Sequence, residues 1–171
     1  MLFSEVLGLP HIKNHLITTA NRGRVPHAQL FAGNHGSGLL PMAIAYARYI
    51  LCNNSGEENE GGILSCNAKF KNLSHPDLHF AFPVATTDKI KSHPVSSNFL
   101  DSWRLFIKEE AYGSLFDWYQ RLGIENKQGQ MGVDEATREQ GHPPGLTVFG
   151  WLRARALPWA VTFCPFGASN P

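Results

Sequence analysis

A glycine-rich stretch, GNHGSGLLPM at residues 33–42, constrains the fold of this chain more than any other feature. It places Gly33 and Gly38 at the spacing of the phosphate-binding pattern G-x-x-x-x-G-K-[ST]. Leu39 stands where that pattern has its lysine, and Leu40 stands where it has its hydroxyl residue. Each lost charge-assisted contact is worth about 1.5–3 kcal/mol, so we expect weak or absent ATP binding and no phosphoryl transfer. The spacing leaves two interpretations open: a turn that never binds nucleotide, or a degenerate site derived from an active one.

The segments on either side of this stretch predict a strand, a glycine loop and a helix in succession. HAQLFAG, residues 27–33, indicates a short buried strand, and Gly36 and Ser37 continue the turn after it. Residues 39–52 are apolar and rich in Ala, Leu and Met, which favours a helix. Pro41 falls in the first turn of that helix, where a missing N–H is tolerated. A phosphate cradle is built on the same succession.

Composition and charge exclude several classes of protein. The chain has 171 residues, of which 43% are hydrophobic and 17% are charged, so it can bury the core of one domain. Its formal charge of +1 gives no global field toward nucleic acid or acidic lipid. No long apolar run or signal peptide is present, so we expect a cytoplasmic protein. Cys52, Cys66 and Cys164 are too few and too scattered for a disulfide framework.

Periodicity predicts the remaining elements. A helix is expected from Pro10 to about Asn21, ending at NRGR, and a second strand is expected within residues 77–84. Two further helices are expected over residues 97–108 and 114–123, the second of which ends at a glycine. Their aromatic residues are expected to pack in the core rather than hold a cofactor. The polar segment 53–62 is predicted to be a loop.

Carboxylates and histidines outside the glycine loop are weak candidates for a site. Asp134 and Glu135 follow an apolar trio, but the polar, glycine-broken residues before them disfavour a buried strand that ends in metal-binding carboxylates. In an extended segment His75 and His79 lie about 13 Å apart, at about 3.3 Å per residue, which is too far to share one metal ion.

Cysteines and lysines supply two more weak candidates. Cys52 and Cys66 lack a C-x-x-C pair that would anchor a metal, so buried or free thiols are expected. Direct DNA binding would draw on a modest basic patch, for which solvated lysines are the simpler explanation. The patch consists of Lys69, Lys71, Lys89 and Lys91.

The sequence changes character beyond about Thr137. Residues 141–171 are punctuated by proline and glycine, contain no acidic residue and hold short apolar islands without a clear period. We therefore predict that residues 137–171 form an irregular tail, which is loosely packed from about Gly141 onward. Such a tail is typical of a truncated chain or of a shifted reading frame.

Three stretches together carry a resemblance to a known family. They are GLPHIKNHLITTANRGRVPHAQLFAGNHGSG at residues 8–38, LSHPDLHF at 73–80 and GVDEA at 132–136. Residues 1–136 resemble the delta-prime subunits of the bacterial DNA polymerase III clamp loader, and look most like those of Bacteroidetes-type bacteria. The resemblance implies an α/β fold, an incomplete AAA+ module of three layers around a parallel sheet. It also implies a decayed phosphate loop kept as a scaffold.

The resemblance also implies cofactors, partners and a role. Family members carry a zinc module of four cysteines, in which Cys52 and Cys66 take the first and fourth positions while Glu60 and Ile63 occupy the others. Bound zinc is therefore not expected. The implied role is that of a non-catalytic subunit of the polymerase III holoenzyme, which supports loading of the sliding clamp onto primed DNA in replication. The implied partners are the other clamp-loader subunits, without membrane contact.

Beyond Ala136 the later elements of the family are not recognisable. These elements are the strand with the would-be catalytic carboxylates, the Ser-Arg-Cys motif, the lid domain and the collar domain. An alternative function is that of a small P-loop enzyme that binds nucleotide through unusual ligands. The apolar Leu39 argues for the non-catalytic subunit, and a titration with labelled ATP distinguishes the two.

Overall fold

A computed structural model describes residues 1–34, 36–52, 64–88, 90–124, 146–150 and 159–163. The helices are α1 (Pro10–Asn21), α2 (Leu39–Cys52), α3 (Leu64–Lys71), α4 (Leu100–Glu109) and α5 (Leu115–Leu122), and a 3-10 helix, Ser96–Phe99, leads into α4. The strands are β1 (Ala28–Phe31), β2 (Leu78–Ala81), β3 (Leu146–Gly150) and β4 (Trp159–Phe163). The α/β class is therefore as predicted.

The four strands form one mixed sheet in the order β1-β4-β3-β2. β2 and β3 pair in parallel, whereas β4 runs antiparallel to both β1 and β3. The described sheet is therefore mixed, and the predicted parallel pairing is found only between β2 and β3. Only residues 151–158 separate β3 from β4, and a parallel crossover needs about a dozen residues or more. A connection of that length permits only antiparallel pairing.

Two of the strands come from the tail that we expected to be irregular. β3 has the sequence LTVFG and β4 the sequence WAVTF, and they pair from Leu146 opposite Phe163 to Gly150 opposite Trp159. The prediction of an irregular tail is wrong for these residues. Val, Thr, Phe and Trp favour extended backbone, and five such residues between proline and glycine suffice for a short strand.

The helices around the glycine loop confirm the expected bounds. α1 begins at Pro10, and its end is closed by Gly23, whose φ is +64° and whose N–H donates to the Ala20 carbonyl. α2 runs from Leu39 to Cys52 and is buried along most of its length, because α1, α3, β3 and β4 all pack against it. β1 is less buried than predicted: as an edge strand it exposes Ala28 and Leu30 and buries Phe31.

Aromatic side chains fill the core between α4, α5 and the end of β2. Phe82 stacks on Trp103 with ring centroids 4.2 Å apart, and Trp118 meets both rings edge-on at 5.3 and 4.9 Å. The buried indole N–H of Trp118 donates to the Pro83 carbonyl at 3.0 Å. The expectation that the helix aromatics are core residues is confirmed for Phe99, Trp103, Phe106 and Trp118, and is wrong for Phe116, which is 58% exposed.

A disulfide bond joins Cys52, the last residue of α2, to Cys66 in α3. The two Cα atoms are 5.7 Å apart, and a hydrogen bond of 3.0 Å from Arg48 Nε to Asn67 Oδ1 also links the two helices. The expectation of unpaired thiols is therefore wrong for this pair. The sequence separation of 14 residues gave no sign that α3 folds back onto the end of α2.

Candidate functional site

The glycine loop joins β1 to α2, as the sequence predicts. Gly36 and Gly38 have φ values of +74° and +82°, in the left-handed region that suits glycine. The Ser37 N–H and hydroxyl both donate to the Asn34 carbonyl, at 3.2 and 2.7 Å. The N–H of Met42 donates to the Gly38 carbonyl at 2.9 Å, which begins the hydrogen bonding of α2. The loop is therefore curled at the N-terminus of a long helix.

The side chains of the two leucines of the motif pack within the protein and have no polar role. A Cβ atom on Gly33 would lie 2.9 Å from Ser37 Oγ and 3.2 Å from Leu39 Cδ2, so the Leu39 side chain folds back over the loop. Leu40 is 4% exposed and belongs to the hydrophobic core. Neither position offers a charge to a phosphate or an oxygen to a magnesium ion.

A small cavity lies between the loop and the α4–α5 region. Its wall consists of residues 33–34, 36 and 38–41 on one side, with Trp103, Phe106, residues 111–115 and Trp118 on the other. The cavity volume is about 40 Å³. Because one water needs about 10–15 Å³, the cavity has room for a few waters.

Tyr112 closes one side of this cavity. A Cβ atom on Gly38 would lie 3.1 Å from Tyr112 Cε1 and 3.9 Å from two further ring carbons. The Tyr112 hydroxyl accepts a hydrogen bond of 2.7 Å from the N–H of Leu7. Sequence reasoning missed this residue, because AYGS carries no motif and the contact to Leu7 spans 105 positions.

The start of α5 holds the turn that carries Tyr112. The Ser114 N–H and hydroxyl donate to Asp117 Oδ2 at 2.6 and 2.7 Å, and the N–H of Asp117 donates back to Ser114 Oγ at 3.3 Å. These hydrogen bonds from Ser114 lower the pKa of Asp117. A Cβ atom on Gly113 would lie 2.7 Å from Phe106 Cζ, so the turn packs closely on α4. The position of Tyr112 is thereby set by both helices.

His75 has a structural role next to β2. The Asp77 N–H donates to His75 Nδ1 at 3.2 Å, and the His75 ring lies 5.2 Å from that of Phe70. Burial lowers the pKa of His75, which favours the neutral ring that this hydrogen bond requires. His79 lies within β2. Within the described residues, no three His, Cys, Asp or Glu side chains come together as a metal site would need.

The other sequence candidates fall into two groups. Lys69 and Lys71 end α3 and are exposed, as is Lys91. Nearby, α4 is tied to the residues after α3 by hydrogen bonds from Arg104 Nε to the Leu73 carbonyl and from Lys108 to Asn72. Five residues considered above lie outside the described residues: Glu60, Ile63, Lys89, Asp134 and Glu135. The polar segment 53–62 also lies outside them.

The fold and the loop define a class: an α/β protein in which a glycine loop joins a strand to the N-terminus of a helix. A family model described as DNA polymerase III, delta subunit, matches residues 8–136. The chain belongs to this DNA polymerase III delta subunit family. No helix among the described residues is long and apolar enough to cross a membrane.

One curated relative is the DNA polymerase III subunit delta' of Bacillus subtilis (strain 168). It is 31% identical over 74 residues, which cover 43% of this chain and 22% of the relative. The chain therefore spans less than a quarter of the length of that relative. No solved structure matches the chain.

Proposed function

We propose that this chain is a non-catalytic subunit, or a piece of one, of a DNA polymerase III clamp loader. It would support loading of the sliding clamp in DNA replication, in the cytoplasm. The observation that carries the proposal is the family match over residues 8–136, which includes the whole glycine loop. The partial match to a DNA polymerase III delta' subunit supports it.

In this proposal the glycine loop is a scaffold within the N-terminal part of an AAA+ module. Leu39 and Leu40 offer no cation and no magnesium ligand, and the cavity beside them is small. Phosphoryl transfer needs both groups, since it depends on charge stabilisation at the transferred phosphate. The three-layer arrangement with a parallel sheet would belong to the complete module. In this chain β4 adds an antiparallel strand from outside the matched residues.

Assembly with the other clamp-loader subunits tests the proposal. The tagged chain is co-expressed with the remaining loader subunits encoded by the same genome, and the complex is purified through the tag. We expect those subunits to co-elute with the chain in fixed proportion. A matched preparation uses the tag alone, without the chain. Elution of the intact chain alone would contradict the proposed role.

A nucleotide titration separates the scaffold from the alternative P-loop enzyme. A titration of the natural chain with a fluorescent ATP analogue and magnesium is expected to give no saturable binding below about 1 mM, because the cation and the hydroxyl are absent. Micromolar ATP affinity would favour the enzyme.

Zinc content is a separate measurement. Elemental analysis is expected to find less than one zinc per chain, because a structural zinc site needs four ligands.

A further inference from the structure

On the side of the glycine loop that faces α4 and α5, the Tyr112 ring packs against Gly38 and lines the small cavity described above. Three Tyr112 ring carbons come within 3.1–3.9 Å of the position that a Cβ on Gly38 would take. Those distances are van der Waals contact or closer, so no other group fits between the ring and Gly38. Gly38 is itself buried, although Gly36 and Ser37 before it are exposed. Tyr112 therefore covers the end of the loop from which α2 starts.

A second contact fixes the tyrosine in this position. Its hydroxyl accepts the hydrogen bond from the backbone N–H of Leu7, whose side chain is 75% exposed. The bond connects the N-terminal segment to the turn between α4 and α5. The turn itself is anchored on one side by the Ser114–Asp117 cap and on the other by the Glu110 N–H, which donates to the Phe106 carbonyl at 2.7 Å. The ring is thus held at both ends.

We infer that Tyr112 is an internal plug of the glycine loop, which it holds closed against phosphate-bearing ligands. This inference rests on the proposed scaffold role of the loop and explains how the loop stays closed. The ring occupies space beside Gly38, and the bond to Leu7 favours this position of the ring over one that swings out. The plug lies in a turn outside the regular elements and is only half buried, so it can open without unfolding α4 or α5.

The apparent affinity for a phosphate ligand equals the affinity of the open loop multiplied by the fraction of time for which the plug is open. Apparent affinity falls in proportion to the population of the binding-competent state. Replacing the leucines cannot by itself reveal the full affinity of the loop while Tyr112 remains. The effects of restoring the motif and of removing the plug on affinity should therefore multiply, so that their binding free energies add.

The test compares four chains: the natural chain, Leu39→Lys/Leu40→Thr, Tyr112→Ala, and the combination of all three changes. The probe is a fluorescent ATP analogue with magnesium, competed with inorganic triphosphate. We expect Tyr112→Ala to tighten binding to the restored loop by about tenfold or more, because the plug no longer competes. Phe116→Ala in the restored loop is the matched control. Phe116 is an aromatic residue of α5 that is 58% exposed and does not line the cavity.

Equal affinity of the restored loop with and without Tyr112 would overturn the inference, as would an equal gain from Phe116→Ala. If the triple variant does not fold, hydrogen exchange at the Leu7 amide decides. In Tyr112→Phe, which keeps the ring and loses the hydroxyl, the exchange rate should rise about tenfold or more. An unchanged rate would refute the plug. A failure of the chain to assemble with clamp-loader subunits would contradict the proposed function without affecting the measurements on Tyr112.

Discussion

Both backbone conformation and packing favour glycine at position 38, whereas only backbone conformation favours it at position 36. Both residues have positive φ, which costs a residue with a Cβ about 1–2 kcal/mol. At Gly36 a Cβ would meet nothing within 4 Å, whereas at Gly38 it would press on the Tyr112 ring. Comparing substitutions at Gly36 and Gly38 therefore distinguishes the cost of backbone strain from the cost of packing against Tyr112.

We expect Gly38→Ala to lower the free energy of unfolding by about 1 kcal/mol more than Gly36→Ala, because overpacking adds to the backbone strain. Urea unfolding followed by tryptophan fluorescence measures the difference. In a Tyr112→Ala background the two substitutions should cost the same, since the ring is gone. An excess cost of Gly38→Ala that persists without Tyr112 would show that the ring is not its source.

His75 makes stability depend on pH. Its pKa in the folded chain is lowered by burial, an effect that Asp77 opposes and Lys69 reinforces. The unfolded chain therefore takes up the proton first as the pH falls. The contribution of His75 to stability is fully present above its ordinary pKa of about 6.5 and is lost as the pH falls through the lower folded value.

His75→Gln should consequently flatten the fall in stability between about pH 7.5 and pH 5. The measurement is the urea midpoint at several pH values. His11→Gln is the matched control, because His11 is exposed on α1. If both variants flatten the curve equally, the pH dependence arises from the loss of any histidine rather than from the burial of the His75 ring.

At the scale of elements, the predictions succeeded where a short sequence pattern is enough. α1 has a proline at its first position and a glycine after its end, and α2 is a continuous apolar run that begins at Leu39. Contacts between distant residues left no such pattern. The Tyr112–Leu7 hydrogen bond and the Cys52–Cys66 disulfide follow from how helices pack. The tail strands were missed because a five-residue strand has too few residues to show a period.

The disulfide gives α2 and α3 a joint stability that can be measured. A bridge closing a loop of about 15 residues contributes about 3 kcal/mol in the chain-entropy model. We expect a reductant to lower the urea midpoint of the oxidised chain accordingly. The variant Cys52→Ser/Cys66→Ser should start at that lower midpoint and not respond to the reductant. A reducing compartment would keep the pair as thiols, so the oxidised chain is measured in vitro.

Peptide mapping after alkylation, without prior reduction, checks the same bond directly. Cys52 and Cys66 should both be protected from the alkylating reagent, and a peptide that joins them should be found. Full alkylation of both residues in the folded chain, together with a urea midpoint that the reductant does not change, would contradict the disulfide bond.

At the scale of the whole molecule, the sheet is completed by residues outside the family match. The matched residues 8–136 contain β1 and β2, whereas β3 and β4 lie beyond them. In the sheet order β4 and β3 stand between β1 and β2, so the two matched strands do not touch each other. Every strand pair described in the sheet therefore includes a tail strand.

Truncation after residue 136 should accordingly destabilise the chain far more than truncation after residue 163. The shorter chain leaves β1 and β2 with unpaired N–H and C=O groups and uncovers the face of α2 on which β3 and β4 pack. We expect a lower urea midpoint and a smaller dependence of the unfolding free energy on urea, because less surface is buried. In the chain truncated after residue 163, amide protection at Val161 and Val148 should stay close to that of the full chain. Equal midpoints and equal urea dependence for the two truncations would mean that β3 and β4 add no stability, and that the matched segment folds without them.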